Sequence, residues 1–241
     1  MTSQPELRAL ITGASSGIGE ATALAFAQSG IHVALIGRSE AKLQRVAQAA
    51  VQAGVQAQAY VLDLAEVDRV KERIQAIAQE FGPIDILINN AGMGYTAELI
   101  DTPLADWQSI LNLNLTSIFQ SIQAILPSMR TRRRGTIINV ISIAGRQVFA
   151  GWGAYCTSKF GLMGLTKTLA AEERAHGIRV VALCPGAVNT SLWDTKTVQA
   201  DFDRSAMLSP ESVAASILHT VVLPEQAVVE ELVLMPNIGT F

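Results

Sequence analysis

The stretch ITGASSGIGEATALAF (11–26) joins a short apolar run to a segment of helical composition through three glycines. Gly13, Gly17 and Gly19 lie at this strand-to-helix junction, where a dinucleotide phosphate binds in doubly wound folds. Glycines let the backbone turn tightly and approach the phosphate, and the following helix offers unpaired N–H groups. The spacing is GxxxGxG rather than GxGxxG, and the alternative is a glycine-rich turn without a ligand. The position between a strand and a helix favours the phosphate site.

Short aliphatic runs alternate with longer stretches of helical period along most of the chain. We predict strands at Ala9–Ile11, His32–Ile36, Gln58–Leu62, Ile84–Ile88, Thr136–Ile141, Arg179–Cys184 and Leu232–Met235. We predict helices at Gly17–Gln28, Glu40–Ala53, Val67–Phe81, Ala105–Met129, Trp152–His176 and Pro210–Leu223. Runs such as VALI (33–36) carry no polar residue, which is typical of parallel strands that helices cover on both faces. The sequence therefore predicts an α/β protein with a single Rossmann-type domain (1–241) and a doubly wound, seven-stranded parallel sheet.

Composition limits the classes of partner. The 241 residues are 49% hydrophobic and carry a formal net charge of −3, so nothing favours nucleic acid or an anionic membrane surface. The N-terminus lacks a signal peptide pattern. Amide side chains interrupt the uncharged stretch 107–129, which favours a buried helix over a membrane-spanning one. Two cysteines and three widely spaced histidines predict neither a disulfide framework nor a metal site. We expect a cytoplasmic protein that binds a small molecule.

The basic run RTRRRG (130–135) follows the longest predicted helix. A nucleic-acid interface would need a broader basic face. We interpret the run as a solvated helix C-terminus, where cations complement the helix dipole.

The end of the second strand indicates which dinucleotide binds. An acidic residue at this place binds the free 2′-hydroxyl of NAD, but here HVALI is followed by Gly37, Arg38 and Ser39. Arg38 is suited to pair with a 2′-phosphate through its forked donors, although a solvated loop arginine is the alternative. The sequence favours NADP(H) over NAD(H).

Further motifs occur in a fixed order along the chain. They are NNAG (89–92) after the fourth strand, NLNLTSIF (112–119), SIAG (142–145), YCTSK (155–159) and PGAVNT (185–190). Together with TGASSGIG (12–19), they closely resemble the short-chain dehydrogenase/reductase family over nearly the whole chain. The resemblance implies a Rossmann fold, a nicotinamide cofactor and hydride transfer between the cofactor and a carbonyl or alcohol. It also implies a homodimer or homotetramer.

The resemblance assigns four catalytic positions: Asn114, Ser142, Tyr155 and Lys159. Tyr155 would supply the proton for the alkoxide that hydride transfer creates, and Lys159, four residues on, shares its helix face. We expect the ammonium to lower the pKa of the phenol. Ser142 would hydrogen-bond the substrate oxygen, and Asn114 would hold a water that links the lysine to solvent. Taken singly, each residue has an ordinary structural alternative, such as a surface tyrosine or a strand-end cap.

Cofactor contacts also follow from the resemblance. Ser15 corresponds to a glycine-loop serine near the 2′-phosphate, Asp63 with Leu64 to the adenine contacts, and Val188 to a backbone contact with the carboxamide. Asn90 corresponds to a cofactor asparagine that also ties strands together. The complete predicted cofactor set is Gly13, Ser15, Ser16, Gly17, Ile18, Gly19, Arg38, Asp63, Leu64, Asn90, Ala91, Gly92, Tyr155, Lys159, Pro185, Gly186, Val188 and Thr190.

Substrate identity depends on the segments that the fold constrains least. A lid is predicted around residues 188–209. Phe149, Trp152, Trp193, Phe202 and Met207 suggest an apolar or aromatic wall, with ordinary core or subunit contact as the alternative. Arg146 and Arg204 are the two candidates for binding a substrate carboxylate.

The C-terminal sequence bears on the branch of the family. The ending VVEELVLMPNIGTF resembles 3-hydroxy acid and serine dehydrogenases and some carbonyl reductases more than 3-oxoacyl-carrier-protein reductases.

Two other functions compete with the reductase hypothesis. A dinucleotide-sensing binding protein would be expected to lack the tyrosine or the lysine. A nucleotide-sugar epimerase or dehydratase would need a longer C-terminal substrate domain.

Overall fold

The computed structural model describes residues 6–200 and 203–239. Its strands form one parallel sheet in the order β3-β2-β1-β4-β5-β6-β7. They are β1 (Arg8–Thr12), β2 (His32–Gly37), β3 (Ala57–Val61), β4 (Ile86–Asn89), β5 (Gly135–Val140), β6 (Ile178–Pro185) and β7 (Glu231–Leu234). The predicted doubly wound, seven-stranded parallel sheet is confirmed, with strand ends displaced by at most two residues.

Helices cover both faces of the sheet. They are α1 (Gly17–Gln28), α2 (Glu40–Gln52), α3 (Val67–Phe81), α4 (Leu104–Leu111), α5 (Ser117–Arg132), α6 (Gly153–Glu173) and α7 (Pro210–Val222). Within the described ranges, none of them combines the length and the apolar run that crossing a bilayer requires.

The alternation of side chains along the central strands explains the two layers. Leu10 and Leu87 point into a core with α3, α5 and α6, whereas Ile11 and Ile88 point into a core with α1, α2 and α7. Successive side chains of a strand face opposite sides, so a run of apolar residues fills both cores. The winding direction changes between β1 and β4, and the change opens a crevice at their carboxyl ends.

The single helix predicted at Ala105–Met129 is interrupted. A π-helical turn, Asn112–Thr116, separates α4 from α5. The sequence-based prediction of one regular helix is wrong at this turn, because helical period does not distinguish an α turn from a π turn. π turns inside helices are frequent at functional sites, and this one carries Asn114.

The basic run lies at the C-terminal end of α5, and three of its arginines also form ion pairs. Arg130 forms an ion pair with Glu173, which is fully buried, and Arg132 and Arg134 both pair with Asp85. Arg132 also donates to the carbonyl of Ile84. Arg130 and Arg134 are exposed, as the interpretation as a solvated helix end predicts, whereas the side chain of Arg132 is only 22% exposed. The carboxylates that pair with them are buried and belong to other parts of the chain. A charge pattern alone does not reveal such distant partners.

Candidate active site

A cavity of about 600 Å³ lies at the carboxyl ends of the strands, where the winding direction changes. It is lined by nearly all of the residues that the sequence assigned to the site. These are Gly13, Ser15, Ser16, Gly17, Ile18, Arg38, Asp63, Leu64, Asn90, Ala91, Gly92, Ser142, Tyr155, Lys159, Pro185, Gly186, Val188 and Thr190. Residues from distant parts of the chain therefore meet in one cavity.

Two predicted site residues, Gly19 and Asn114, lie behind the cavity wall. Gly19 packs against the glycine turn, where a Cβ atom would lie 2.3 Å from the carbonyl oxygen of Gly13. Glycine at this position lets α1 approach the turn closely. Asn114 is fully buried between the chain that follows β4 and α6.

The glycine turn is held against the end of β4. Gly13 and Gly17 have φ values of +67° and +56°, in the left-handed region that glycine adopts without strain. The Nδ2 of Asn90 donates to the carbonyls of Thr12 and Gly13 at 3.0 and 3.3 Å. The Thr12 hydroxyl accepts from the backbone N–H groups of Asn90 and Ala91. This threonine, which the sequence analysis did not single out, fixes the turn at the start of α1.

Arg38 and Asp63 lie at the outer end of the cavity. Arg38 follows β2 with an exposed side chain that makes no ion pair or hydrogen bond within the part of the chain that the structure describes. Gly37 lies next to the glycine turn, since its Cβ position would be in van der Waals contact with the Ser15 hydroxyl oxygen at 3.4 Å. One carboxylate oxygen of Asp63 accepts from the N–H of Ala65, which fixes the turn after β3.

Ser142, Tyr155 and Lys159 come together at the middle of the cavity. Ser142 follows β5, and its hydroxyl accepts from the N–H of Ala144 at 3.1 Å and hydrogen-bonds Tyr155. Tyr155 and Lys159 occupy one face of α6, with the lysine Nζ 5.7 Å from the centre of the tyrosine ring. The same Nζ donates to the carbonyl of Val140 at 3.1 Å.

Burial governs the titration of this pair. It raises the pKa of Tyr155 to about 12, with a smaller upward effect from Cys156 and a downward effect from the Ser142 hydrogen bond. Burial also lowers the pKa of Lys159 to about 8. The expectation that Lys159 lowers the pKa of the phenol below its ordinary value does not hold here, because desolvation of the phenolate outweighs any attraction to the ammonium.

Asn114 connects this group to the chain that follows β4. Its Oδ1 accepts from the N–H of Met93, and its Nδ2 donates to the Met93 carbonyl and to the Ser158 hydroxyl. Ser158 in turn donates to the carbonyl of Tyr155 at 2.7 Å. At Gly92, a Cβ atom would lie 3.2 Å from Asn114 Oδ1. Ser158 was missed from the sequence, although it lies directly before Lys159.

Aromatic side chains line the far end of the cavity. Of the five predicted wall residues, Phe149, Trp152 and Trp193 line it, Met207 does not, and Phe202 lies outside the described residues. Trp152 makes edge-to-face contacts with Tyr155 and Trp193, with ring centroids 5.5 and 5.9 Å apart.

The segment predicted as a lid is attached to the rest of the protein at its base and at its middle. At the base, the two strands of chain that lead into and out of the segment are hydrogen-bonded to each other. The N–H of Asn189 donates to the Leu208 carbonyl, and the N–H of Leu208 donates to the Ala187 carbonyl. Its middle packs on the chain that follows β4. There the Thr197 hydroxyl donates to the Gly94 carbonyl, and the Gln199 N–H donates to the Thr96 hydroxyl.

The two arginines considered for a substrate carboxylate already have partners. Arg146 forms an ion pair with Glu231 at 3.1 Å. Arg204 pairs with Asp194 and also donates to Asn189 Oδ1 and to the Thr190 carbonyl. Neither lines the cavity.

Comparison with known proteins identifies the family. A family profile described as "short chain dehydrogenase" matches residues 8–201. The chain belongs to the short-chain dehydrogenase family.

Individual family members resemble it over most of their length. A 3-oxoacyl-[acyl-carrier-protein] reductase of Thermotoga maritima is 37% identical over 218 residues, which cover 87% of each protein. An alcohol dehydrogenase of the archaeon Thermococcus sibiricus, solved with 5-hydroxy-NADP, superposes with a TM-score of 0.88 at 29% identity and covers 96% of this chain and 97% of its own. The actinorhodin polyketide ketoreductase, solved with NADPH, gives a TM-score of 0.87 at 28% identity over the whole of both chains. The branch indicated by the C-terminal sequence stays a prediction.

Proposed function

We propose that this short-chain dehydrogenase is an NADP(H)-dependent oxidoreductase that interconverts a carbonyl compound and its alcohol. The observation that carries the proposal is the meeting of Ser142, Tyr155 and Lys159 in a cavity that also contains the glycine turn. A proton donor, a hydrogen-bonding hydroxyl and a cation at one point are what the reduction of a carbonyl requires.

The cofactor half of the cavity fits a phosphorylated dinucleotide. The left-handed glycines Gly13 and Gly17 leave the N-terminal N–H groups of α1 open to a pyrophosphate. Arg38, with no ion pair in the described chain, is suited to a 2′-phosphate. The two solved relatives described above contain NADPH or an NADP derivative, which supports the same cofactor here. When bound, the reduced nicotinamide supplies a hydride to the carbonyl carbon.

Tyr155 delivers the proton that completes the reduction. The phenol is protonated at neutral pH because burial raises its pKa to about 12. Its proton passes to the carbonyl oxygen as that oxygen gains the electron pair, so the product is an alcohol and the side chain a phenolate. The Ser142 hydroxyl holds the substrate oxygen beside the phenol.

Lys159 stabilises the negative charge that forms on Tyr155. The ammonium predominates at neutral pH, since burial lowers its pKa only to about 8. One N–H donor is used by Val140, which leaves two donors for the cofactor ribose and for solvent in the cavity. Asn114 does not line the cavity, but it hydrogen-bonds Met93 and Ser158. Its proposed role is to position the part of α6 that carries Tyr155 and Lys159.

Further features of the whole protein are also proposals. The single sheet supports one domain over residues 1–241, with a lid at 188–209 above the cavity. Free Cys156 and Cys184 suit a reducing compartment such as the cytoplasm. Exposed apolar side chains at Leu99 and Ile100 support assembly into a homodimer or homotetramer.

The test measures NADPH and NADH oxidation across a panel of aldehydes, ketones, β-ketoesters and 3-oxo acids, with wild type and Tyr155→Phe. We expect NADPH-dependent turnover to fall by about 100- to 10,000-fold in the variant, the range for loss of a general acid. NADPH affinity, followed by fluorescence titration, should be retained. Tyr60→Phe is the matched control, since Tyr60 lies on β3 away from the cavity. Tight NADPH binding by wild type without turnover of any class would instead identify a dinucleotide sensor.

A further inference from the structure

Three aromatic rings form a continuous row from the reacting group to the lid. Tyr155 contacts Trp152, and Trp152 contacts Trp193, each in an edge-to-face arrangement. Trp152 directly precedes α6, whereas Trp193 belongs to a short 3₁₀ turn of the lid (Ser191–Asp194). Two indole rings therefore follow the Tyr155 ring toward the lid.

These rings face the cavity rather than an interior core. Trp152 and Trp193 are partly exposed and line the cavity, and neither is part of the three apolar clusters of the described residues. The indole N–H of Trp193 donates to the Val188 carbonyl at 2.8 Å. An indole has only this one donor, so the other contacts of the ring are apolar or π contacts.

Two threonine hydroxyls of the lid are engaged within the protein. The Thr195 hydroxyl donates to the Leu192 carbonyl, and the Thr197 hydroxyl donates to the Gly94 carbonyl. Hydroxyls with such partners offer little to a polar substrate chain.

Cationic groups are also absent from this end of the cavity, within residues 6–200 and 203–239. The cations that line the cavity are Arg38, at the end of β2, and Lys159, buried against Val140. Arg146 and Arg204 are held by Glu231 and Asp194. Lys196 is exposed on the lid and does not line the cavity. A substrate carboxylate seated beside Trp152 would therefore have no ion-pair partner among the cations that line the cavity, and burying an unpaired charge is costly.

We propose that the site selects uncharged ketones or aldehydes that carry an aromatic ring near the carbonyl, with Trp152 and Trp193 as the specificity-determining residues. The proposal rests on the proposed reductase function. The substrate oxygen lies at Ser142 and Tyr155, and the aromatic substituent extends the row of rings. Aromatic pairs with centroids 4.5–7 Å apart gain stabilisation beyond the burial of area.

The first experiment compares kcat/KM for phenylacetone and cyclohexylacetone, which are similar in shape and differ in aromaticity. Wild type should prefer phenylacetone by about 2- to 12-fold, the range expected for one aromatic pair. Trp193→Leu should bring the ratio close to one, and Trp193→Phe should restore most of it. The ratio is insensitive to partial unfolding, because both substrates lose the same fraction of active enzyme.

A second experiment tests the charge requirement with para-acetylbenzoate and its methyl ester. We expect the ester to exceed the carboxylate by about 100-fold or more in kcat/KM, because the carboxylate would be buried without a partner. Equal values would overturn the requirement for an uncharged substrate. Two results would overturn the aromatic preference. One is a wild-type ratio of kcat/KM near one for phenylacetone and cyclohexylacetone, and the other is faster turnover of an aliphatic 3-oxoacyl thioester than of phenylacetone.

The two proposals fail in different ways. Absence of NADPH oxidation with every ketone and aldehyde would refute the reductase function itself. Turnover that is indifferent to aromaticity and charge would refute the substrate class alone.

Discussion

The two halves of the cavity are built in different ways. The cofactor half consists of turns that directly follow β1, β2 and β4, and hydrogen bonds such as that from Asn90 Nδ2 to the Gly13 carbonyl fix it to the sheet. The substrate half consists of loops, and its lid is held by hydrogen bonds between residues 103 positions apart. Regular strands determine the first half, whereas the second depends on tertiary contacts particular to this chain. Substitutions in the two halves should therefore have different consequences.

The largest effect is expected where α1 meets the glycine turn. In Gly19→Ala, the new Cβ atom would lie 2.3 Å from the Gly13 carbonyl oxygen. This oxygen is part of the backbone, so it cannot move aside by a change of rotamer as a side chain could. We expect the free energy of unfolding to fall by about 3 kcal/mol, at the upper end for overpacking. For a domain of this size, that corresponds to a loss of about 6–12 °C in Tm. NADPH binding should be lost with the geometry of the turn.

Gly164→Ala is the control for this change. Gly164 lies exposed within α6, with open space around its Cβ position, so alanine should stabilise by about 0.5–1 kcal/mol. Thermal unfolding and NADPH titration of both variants check the contrast. Retained NADPH binding in a folded Gly19→Ala protein would show that the turn tolerates displacement.

A smaller effect, confined to cofactor choice, is expected at Arg38. Arg38→Leu should weaken NADPH binding by about 10- to 100-fold, as expected for the loss of charge-assisted hydrogen bonds to a phosphate. NADH affinity should stay within about twofold, because NADH lacks the 2′-phosphate. Fluorescence titrations with both cofactors measure the two constants. Arg45→Leu is the control, since Arg45 is also near α1 but pairs with Glu20. Equal losses for NADPH and NADH would remove Arg38 from cofactor selection.

The smallest effect is expected where the lid rests on the chain after β4. In Gly94→Ala, the added Cβ atom would lie 2.7 Å from Val198 Cγ2 and 3.0 Å from Leu192 Cδ2. Both are ends of flexible side chains, so the lid should shift rather than the fold break. We expect kcat/KM for the ketone to fall by about 5- to 10-fold, at the lower end of overpacking costs. NADPH affinity should be unchanged.

The double variant Gly94→Ala/Val198→Ala sharpens this test. Removing the Val198 methyl groups relieves the contact, so activity should recover most of the loss. If the double variant loses more activity than Gly94→Ala alone, the lid is not positioned by this contact.

The same division explains what could be predicted from the sequence. The doubly wound parallel sheet was predicted from the alternation of apolar runs and helical segments. The cofactor residues were predicted from local motifs, because a glycine turn after a strand has few possible geometries. The positions of Phe149, Trp152 and Trp193 on the cavity were also expected from loops that flank the motifs. The ion-pair partners of Arg130 and Arg132 were not expected, because Glu173 and Asp85 are more than forty positions away in sequence. The pKa of Tyr155 was missed because the extent of burial is a property of the packed molecule.

The π turn at Asn112–Thr116 has a consequence for helical phase. An α-helix turns by about 100° per residue, so one additional residue in a turn rotates everything before it relative to everything after it. Before the turn, Ile110 of α4 packs in the cluster that contains Tyr95. After the turn, Ile118, Ile122 and Ile125 of α5 pack on the sheet core. One rod of helix thus presents two differently oriented apolar stripes, and Asn114 lies at the point where the orientation changes.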